Sequence, residues 1–237
     1  MDDLKQSGYF RYHAPKYDEL MKRIHYYRTD SSRILEIGRS RFAKIAYNFF
    51  GVNIDSLGLE ADKKTLTGFN YHFDLNDAQY REKWRRDLPK YDIILFTEVI
   101  EHLYISPRLI LKFLKTLLND RGVVILQTPN AAAFHRRLQM LVRRILYAFI
   151  YKSSETPRKP THFREYTSAE LSDYCRQAGF EILDMTFENY FDYRYIDHAK
   201  GYFSKKERYR SVNMLYSMLP RSLRQGMCFV LTSKVIR

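Results

Sequence analysis

The sequence predicts a three-layer α/β domain in which helices cover both faces of a mostly parallel sheet. Short apolar segments rich in β-branched residues alternate along the chain with segments that repeat apolar residues every three or four positions. The segment YDIILFTE at 91–98 is apolar almost throughout, as expected for a strand that is covered on both faces. This alternation is typical of parallel sheets, and 237 residues fit one such domain with additions.

Seven strands are predicted, with helices between them. The strands cover residues 33–37, 52–60, 71–75, 91–98, 123–128, 180–187 and 227–233. An N-terminal amphipathic helix is predicted from apolar residues at positions i, i+3, i+4 and i+7, which are Tyr17, Leu20, Met21 and Ile24. A second helix follows the first strand, because Phe42, Ile45, Ala46 and Phe49 form an apolar stripe.

Helix ends are predicted from capping residues. Gly51 suits the C-cap of the second helix, because glycine adopts the left-handed conformation at little cost. Ser106-Pro107 suits the start of a third helix, which is expected to end near Gly122. A capping box, Thr167-x-x-Glu170, begins another helix before the strand at 180–187.

The charge and composition of the chain limit which partners and which cellular location we expect. The formal net charge of +13 favours anionic partners such as nucleic acid, acidic lipid surfaces or phosphorylated substrates, or serves solubility alone. The two cysteines, Cys175 and Cys228, have neither metal-ligand nor disulfide spacing. No signal peptide and no apolar stretch of about 18 residues is evident, so a cytoplasmic location is expected.

Three loops carry residues suited to a nucleoside ligand. Gly38 follows the first strand and allows a sharp turn with close approach of a ligand to the backbone. Glu60 ends the second predicted strand, where an acidic residue accepts hydrogen bonds from ribose hydroxyls; Asp62 is the alternative. Asp74 is placed to accept from an adenine amino group and Leu75 to flank the ring, although Asp and Asn there also suit a plain turn.

These motifs, taken in order, resemble the class I S-adenosylmethionine-dependent methyltransferases. The matching segments are ILEIG, LGLE, FDLND, YDIILFTEVIEHL and LLNDRGVVILQTPN within residues 31–130, and HFREYTSAEL with AGFEI within 162–182. The chain is most similar to the branch that contains ubiquinone-biosynthesis O-methyltransferases and methyltransferases of glycan and natural-product gene clusters. The glycine-poor first loop, with Ser40 and Phe42 where further glycines are common, is the main departure.

The resemblance implies a Rossmann-like, seven-stranded sheet whose last strand is antiparallel, and S-adenosylmethionine as the cofactor. The cofactor contacts that it implies are Glu36, Gly38, Ser40, Glu60, Asp74, Leu75, Thr97 and Glu98. One domain is expected, with an N-terminal helical cap at 1–30, a cofactor-binding core at 31–130, a basic insertion at 131–165, and the remainder of the sheet at 166–237 with a helical insertion.

The candidate catalytic residues lie after the fourth predicted strand. His102 is the candidate general base, because imidazole titrates near neutral pH, although it also suits a structural turn. Glu101 is placed to orient His102 or to hold a metal, but no further ligand cluster is visible in the sequence, and no metal site is predicted. The candidate substrate contacts are His135, His162, Arg164 and Tyr166.

The insertion is predicted to contain a basic amphipathic helix. Its apolar face carries Leu138, Leu141, Val142, Ile145, Leu146 and Phe149, and its basic residues are Arg136, Arg137, Arg143 and Arg144. Two interpretations remain open: a lid packed on the domain, and a helix that lies on an anionic membrane surface.

The function expected from these features is methyl transfer to a small-molecule, lipid-linked or glycan-linked acceptor at oxygen. An RNA methyltransferase is one alternative, which the positive charge suggests. Against it, TEVIEH stands where many base-amino methyltransferases have an Asn/Asp-Pro-Pro-aromatic tetrapeptide. A degenerate binding or scaffold subunit is the other alternative, and the glycine-poor loop motivates it.

Overall fold

Eight strands form one sheet in the computed structural model, which describes residues 8–38, 40–141, 162–188, 214 and 218–233. The strands are β1 Ile34–Ile37, β2 Asp55–Gly58, β3 Lys63–Lys64, β4 Phe69–His72, β5 Tyr91–Thr97, β6 Leu118–Pro129, β7 Phe180–Glu188 and β8 Gly226–Ser233. Their order across the sheet is β3-β4-β2-β1-β5-β6-β8-β7.

The sheet is mostly parallel. The strands β4, β2, β1, β5 and β6 run in one direction, and β8 lies antiparallel between β6 and β7. The predicted Rossmann-like fold with an antiparallel last strand is therefore confirmed. The eighth strand is the two-residue β3, which pairs antiparallel with β4 and which two charged residues, Lys63 and Lys64, did not suggest.

The described residues form five α-helices, which are α1 Gly8–Tyr27, α2 Phe42–Phe50, α3 Pro107–Leu117, α4 Phe134–Leu141 and α5 Ser168–Gln177. All of these except α4 cover the two faces of the sheet. One apolar cluster joins α1 and α2 to one face of the sheet, and a second cluster joins α3 and α5 to the other face. Burying apolar surface on both faces explains why the strands lack polar alternation.

The predicted caps are present. Gly51 has φ 65°, and its N–H donates to the carbonyl oxygens of Ala46 and Tyr47 at the end of α2. The capping box of α5 is complete, because Thr167 and Glu170 exchange side-chain and backbone hydrogen bonds. Ser106 precedes α3 as predicted, but its hydroxyl makes no capping hydrogen bond.

Three predicted boundaries were wrong. The second strand ends at Gly58 rather than at Glu60, and β4 covers 69–72 rather than 71–75. Helix α3 ends at Leu117, and the chain continues directly into β6. Gly122 lies within that strand, where an added Cβ would come within 2.9 Å of the carbonyl oxygen of Tyr91. This glycine therefore marks a close approach of two strands and not the end of a helix.

Helix α4 lies in the described part of the basic insertion, which comprises residues 131–141 and 162–165. Leu138 and Leu141 on its predicted apolar face are exposed, by 46% and 79% of their surface, so this part of the face is not packed on the domain. Residues 142–161, which would continue the amphipathic helix, lie outside the described residues. Among the described residues, no helix is long and apolar enough to cross a membrane.

Candidate active site

The carboxyl ends of the parallel strands lie along one edge of the sheet. The register pairs Gly58 with His72 and Thr97 with Gln127, so the loops that follow these strands emerge side by side. Strand order reverses between β1 and β5, because the chain continues from β1 towards β2 on one side and from β5 towards β6 on the other. Ligands of open α/β sheets bind at such reversal points.

The first loop makes a tight turn around Gly38. This glycine has φ 73°, and its N–H donates to the carbonyl oxygen of Leu57 at 2.8 Å. An added Cβ would lie 3.0 Å from Cγ2 of Val99, in the loop that follows β5. Both the backbone angle and the close approach of Val99 favour glycine here.

Ser40 closes the same loop through its side chain. Its hydroxyl donates to Oε1 of Glu36 in a short hydrogen bond and accepts the N–H of Phe42 at 2.9 Å. Phe42, which stands where a glycine is common, is buried in the core with α1 and does not project from the edge of the sheet. Arg41 is exposed, and Arg39 lies outside the described residues.

Glu36 is a buried carboxyl at the end of β1. Burial raises its pKa to about 7, although the hydrogen bonds from Ser40 and the charge of Lys16 oppose this rise. A carboxyl with this pKa changes its charge near neutral pH, beside the turn that is expected to hold the amino-acid end of the cofactor.

The second and third loops place their acidic residues differently. Glu60 is exposed two residues beyond β2 and lies 3.6 Å from Lys63. Asp62, the alternative, accepts a hydrogen bond from the N–H of His72 and forms an ion pair with Arg85. Its carboxylate therefore stabilises the loops. Glu60 therefore remains the better candidate for the ribose.

Asp74 caps a short helix. Its Oδ1 accepts from the N–H of Asn76 at 2.9 Å, at the start of the 3-10 helix Leu75–Gln79. Leu75 is buried in the core. Both residues thus have a structural role in this loop, and their predicted contacts with adenine stay predictions.

Glu98 follows β5 directly and adopts a left-handed backbone conformation, with φ 55°. Its N–H donates to the carbonyl oxygen of Gln127 at 2.8 Å, which fixes the turn after Thr97. Positive φ in a residue other than glycine is costly and is frequent at functional sites. The turn thus directs Glu98 towards α1, where Nζ of Lys16 lies 3.4 Å from its Oε1.

Lys16 is a site residue that the sequence analysis missed. Its side chain is only 12% exposed, and it lies near the carboxylates at the ends of β1 and β5. A signal was present, because Lys16, Leu20 and Ile24 are spaced four residues apart and share one face of α1. A lysine within an otherwise buried apolar stripe indicates a specific anionic neighbour.

Glu101, His102 and His162 form a cluster beside this turn. Glu101 is wholly buried, and its Oε2 accepts from the hydroxyl of Thr128 at 3.0 Å. Burial, followed by the charge of Glu98, raises the pKa of the Glu101 carboxyl. The rings of His102 and His162 are 4.8 Å apart between centroids and inclined at 80°. The structure thus joins two predicted catalytic residues to one predicted substrate contact.

The last residues of the insertion, 162–165, are held against this cluster. The N–H groups of Phe163 and Arg164 donate to the carbonyl oxygen of Glu101 at 2.7 and 3.2 Å. Nδ1 of His162 lies 3.0 Å from Oε1 of Glu165, which also pairs with Arg136. Burial would raise the pKa of Glu165, but the hydrogen bond from His162 and the charge of Arg136 outweigh it, and the pKa is lowered.

The other predicted substrate contacts are engaged within the protein. Arg164 pairs with Glu170 at 2.6 Å and lies over the ring of Tyr166. Tyr166 is buried in the core, and burial raises its pKa to about 12. His135 is half-buried, and burial with the nearby charge of Arg136 lowers its pKa. Of the four predicted contacts, only His162 joins the cluster.

The fold and these loops define an α/β protein of the Rossmann-like class, in which ligands bind at the carboxyl edge of the sheet. The carboxyls of Glu36, Glu98 and Glu101 and the glycine turn at Gly38 fit a cofactor with sulfonium and ammonium charges. A family model described as a methyltransferase domain matches residues 9–185, which is more than half of the chain. The chain belongs to the class I S-adenosylmethionine-dependent methyltransferase family, and S-adenosylmethionine is its cofactor.

Similar proteins agree with this assignment. The chain is 26% identical over 130 residues to a "Probable S-adenosylmethionine-dependent methyltransferase" of Mycolicibacterium smegmatis, a match that covers 54% of this chain and 44% of that protein. The matched region therefore spans less than half the length of this relative.

Two solved structures share the fold. A S-adenosylmethionine-dependent methyltransferase of Archaeoglobus fulgidus has a TM-score of 0.55 and 16% identity, with 97% of this chain and 96% of that chain covered. The geranyl diphosphate C-methyltransferase of Streptomyces coelicolor has a TM-score of 0.52 and 9% identity, with 93% and 79% covered. At these identities the likeness concerns the fold alone.

Proposed function

We propose that this chain transfers the methyl group of S-adenosylmethionine to a hydroxyl oxygen of a small-molecule, lipid-linked or glycan-linked acceptor. The observation that carries the proposal is the position of the cluster Glu101, His102 and His162 directly after β5, next to the turn at Gly38. The bound cofactor supplies a methyl group already activated by its sulfonium. The protein has to align the acceptor and, for a hydroxyl, remove its proton.

The cofactor is held, in this proposal, by the loops after β1, β2 and β4. Gly38 allows the amino-acid end to approach the backbone, and Glu36 with Ser40 supports that turn. Glu60 accepts from the ribose hydroxyls, because it is exposed beyond β2. Asp74 lies in the next loop along the edge, where the adenine would follow the ribose.

His102 removes the proton from the acceptor hydroxyl. An imidazole is suited to this role because it accepts a proton near neutral pH. Glu101, in the same short helix Ile100–His102, gives the site a buried carboxyl. The absence of the Asn/Asp-Pro-Pro-aromatic tetrapeptide after β5 in the sequence supports methylation at oxygen over methylation of a base amino group.

A lipid-linked acceptor is supported by the surface of α4. Leu138, Met140 and Leu141 are exposed there beside the exposed Arg137. Apolar side chains next to arginine suit the interface of an anionic membrane. Co-sedimentation with vesicles that contain phosphatidylserine tests this part: the Leu141→Glu variant is expected to bind more weakly than the unmodified protein. Absence of binding to these vesicles would favour the interpretation of this helix as a lid and would remove this support for a lipid-linked acceptor.

Calorimetry with S-adenosylhomocysteine and a methyl-transfer assay test the function together. The full chain is expected to bind the ligand, and mass spectrometry of hydroxyl-containing small-molecule and lipid extracts incubated with S-adenosylmethionine is expected to reveal products heavier by one methylene. Absence of binding heat at high ligand concentration would favour the scaffold alternative. Methylated RNA, together with RNA binding that weakens steeply with salt, would favour the nucleic-acid alternative.

A further inference from the structure

Three potential metal ligands converge where the end of the insertion meets the short helix Ile100–His102, which follows β5. Glu101, His102 and His162 each offer one ligand atom, and these atoms all lie within 4.8 Å of one another. Two of the residues come from one short helix, and the third comes from far along the chain. We propose that these three residues bind a divalent transition-metal cation.

The geometry is close to that of a coordination sphere. Ligand atoms about 2.1 Å from a cation are roughly 3–3.5 Å apart, so the three side chains would need to approach by about 1 Å. The rings of His102 and His162 are inclined at 80° and are not stacked, so their edges can turn towards one ion.

Glu101 is an independent reason to expect a cation. One of its oxygens accepts from the hydroxyl of Thr128, but its buried Oε1 has no hydrogen-bond partner among the described residues. Burying an unsatisfied carboxyl oxygen is costly, and a cation would satisfy it. The carbonyl oxygen of Glu101 also accepts from Phe163 and Arg164, which ties the two ligand-bearing segments together.

The second ring nitrogen of His162 has a carboxylate partner, as is usual for a metal-binding histidine. Its Nδ1 lies 3.0 Å from Oε1 of Glu165, so an Nδ1–H that donates to this carboxylate leaves Nε2 to bind the cation. Metal-bound histidines commonly donate their second ring N–H to a carboxylate, which fixes the tautomer and the ring orientation. Arg136 pairs with Glu165 in turn and holds it in place. Glu165 is therefore a positioning residue.

The ligand set favours Mn²⁺, Fe²⁺, Co²⁺ or Zn²⁺ over Mg²⁺, because it combines two imidazoles with one carboxylate. Three protein ligands leave coordination positions open for an oxygen donor. Under the proposed function that donor is the acceptor hydroxyl: binding to the cation would lower the pKa of the hydroxyl so that its proton is lost to water, and His102 would then be a ligand in place of its role as base. Only this last step rests on the proposed function.

Cobalt binding to the full chain tests the site without methyl donor or acceptor. Protein stripped with EDTA is titrated with CoCl₂ and followed by calorimetry and by visible absorption; one equivalent with d–d bands is expected. Glu101→Gln and His162→Ala are expected to lower affinity at least tenfold, and Glu165→Gln by about 10–100-fold. The matched control is His25→Ala, because His25 is an exposed histidine on α1, outside the cluster; its affinity should not change.

The proposal is overturned if the unmodified protein shows no saturable cobalt binding, or if the His162→Ala and His25→Ala variants bind alike. His162 is half-exposed, so its variant is expected to fold, which thermal unfolding verifies. Because the titration contains no cofactor, intact cobalt binding without methyl transfer would refute the proposed function alone. Methyl transfer without cobalt binding would refute the metal site alone.

Discussion

Replacing Glu36 with Gln should make the stability of the protein less dependent on pH. The carboxyl of Glu36 is fully buried, and burial raises its pKa from 4.5 to about 7. Between these two values the folded state holds a proton that the unfolded state has lost, so the free energy of unfolding falls as pH rises. The full pKa shift corresponds to a change of roughly 3 kcal/mol in the free energy of unfolding. Of this change, roughly 2–3 kcal/mol occurs between pH 5 and pH 8.

Urea unfolding, followed by fluorescence of the single tryptophan, Trp84, measures this difference. Near pH 5 the two proteins should differ by about 1 kcal/mol, which is the cost of an altered hydrogen bond to Ser40. From pH 5 to pH 8, the free energy of unfolding of Glu36→Gln should rise by roughly 2–3 kcal/mol relative to that of the unmodified protein. Glu181→Gln, at an exposed carboxylate on β7, is the control and should follow the unmodified protein. The reasoning is refuted if the free energy of unfolding depends on pH in the same way for Glu36→Gln and the unmodified protein.

Three further substitutions test the loops. Glu60→Ala should weaken S-adenosylhomocysteine binding by roughly 1–3 kcal/mol in calorimetry, from loss of charge-assisted hydrogen bonds; unchanged affinity would place the ribose elsewhere. Gly38→Ala should destabilise the fold by about 1 kcal/mol more than Gly51→Ala in urea unfolding. Both glycines have positive φ, but of the two only Gly38 has a neighbour, Val99, within 3.0 Å of an added Cβ. Equal losses of stability in the two variants would show that the contact with Val99 does not contribute. His102→Ala should lower turnover about 10²–10⁴-fold at unchanged cofactor affinity, and full activity would exclude His102 as the base.

Local signals were sufficient to predict most of the fold. Strand β5 is apolar on both faces, and the cap at Gly51 and the box at Thr167 and Glu170 depend on short-range geometry that the sequence displays directly. Boundaries were wrong where a tertiary contact decides them. Gly122 resembled a helix end, but its neighbours across the sheet show that it lies in a strand.

The candidate site was only partly predictable, because its members come together through long-range contacts. Glu36 lies in β1 and Gly38 directly follows this strand, as the sequence pattern predicts, and their contacts with the cofactor stay predictions. By contrast, His162 lies beside His102 because the N–H groups of Phe163 and Arg164 donate to the carbonyl oxygen of Glu101. No spacing in the sequence encodes that contact. Lys16 differs, because its spacing from Leu20 and Ile24 already placed it on the buried face of α1.

The antiparallel strand β8 has a consequence for biosynthesis. Among the described strands, β7 pairs with β8 alone, and β8 lies between β6 and β7. As the chain leaves the ribosome, β7 emerges well before the partner that attaches it to the rest of the sheet. The nascent chain therefore carries an unpaired strand edge until β8 has been translated, and unpaired edges of this kind are sites of misassociation.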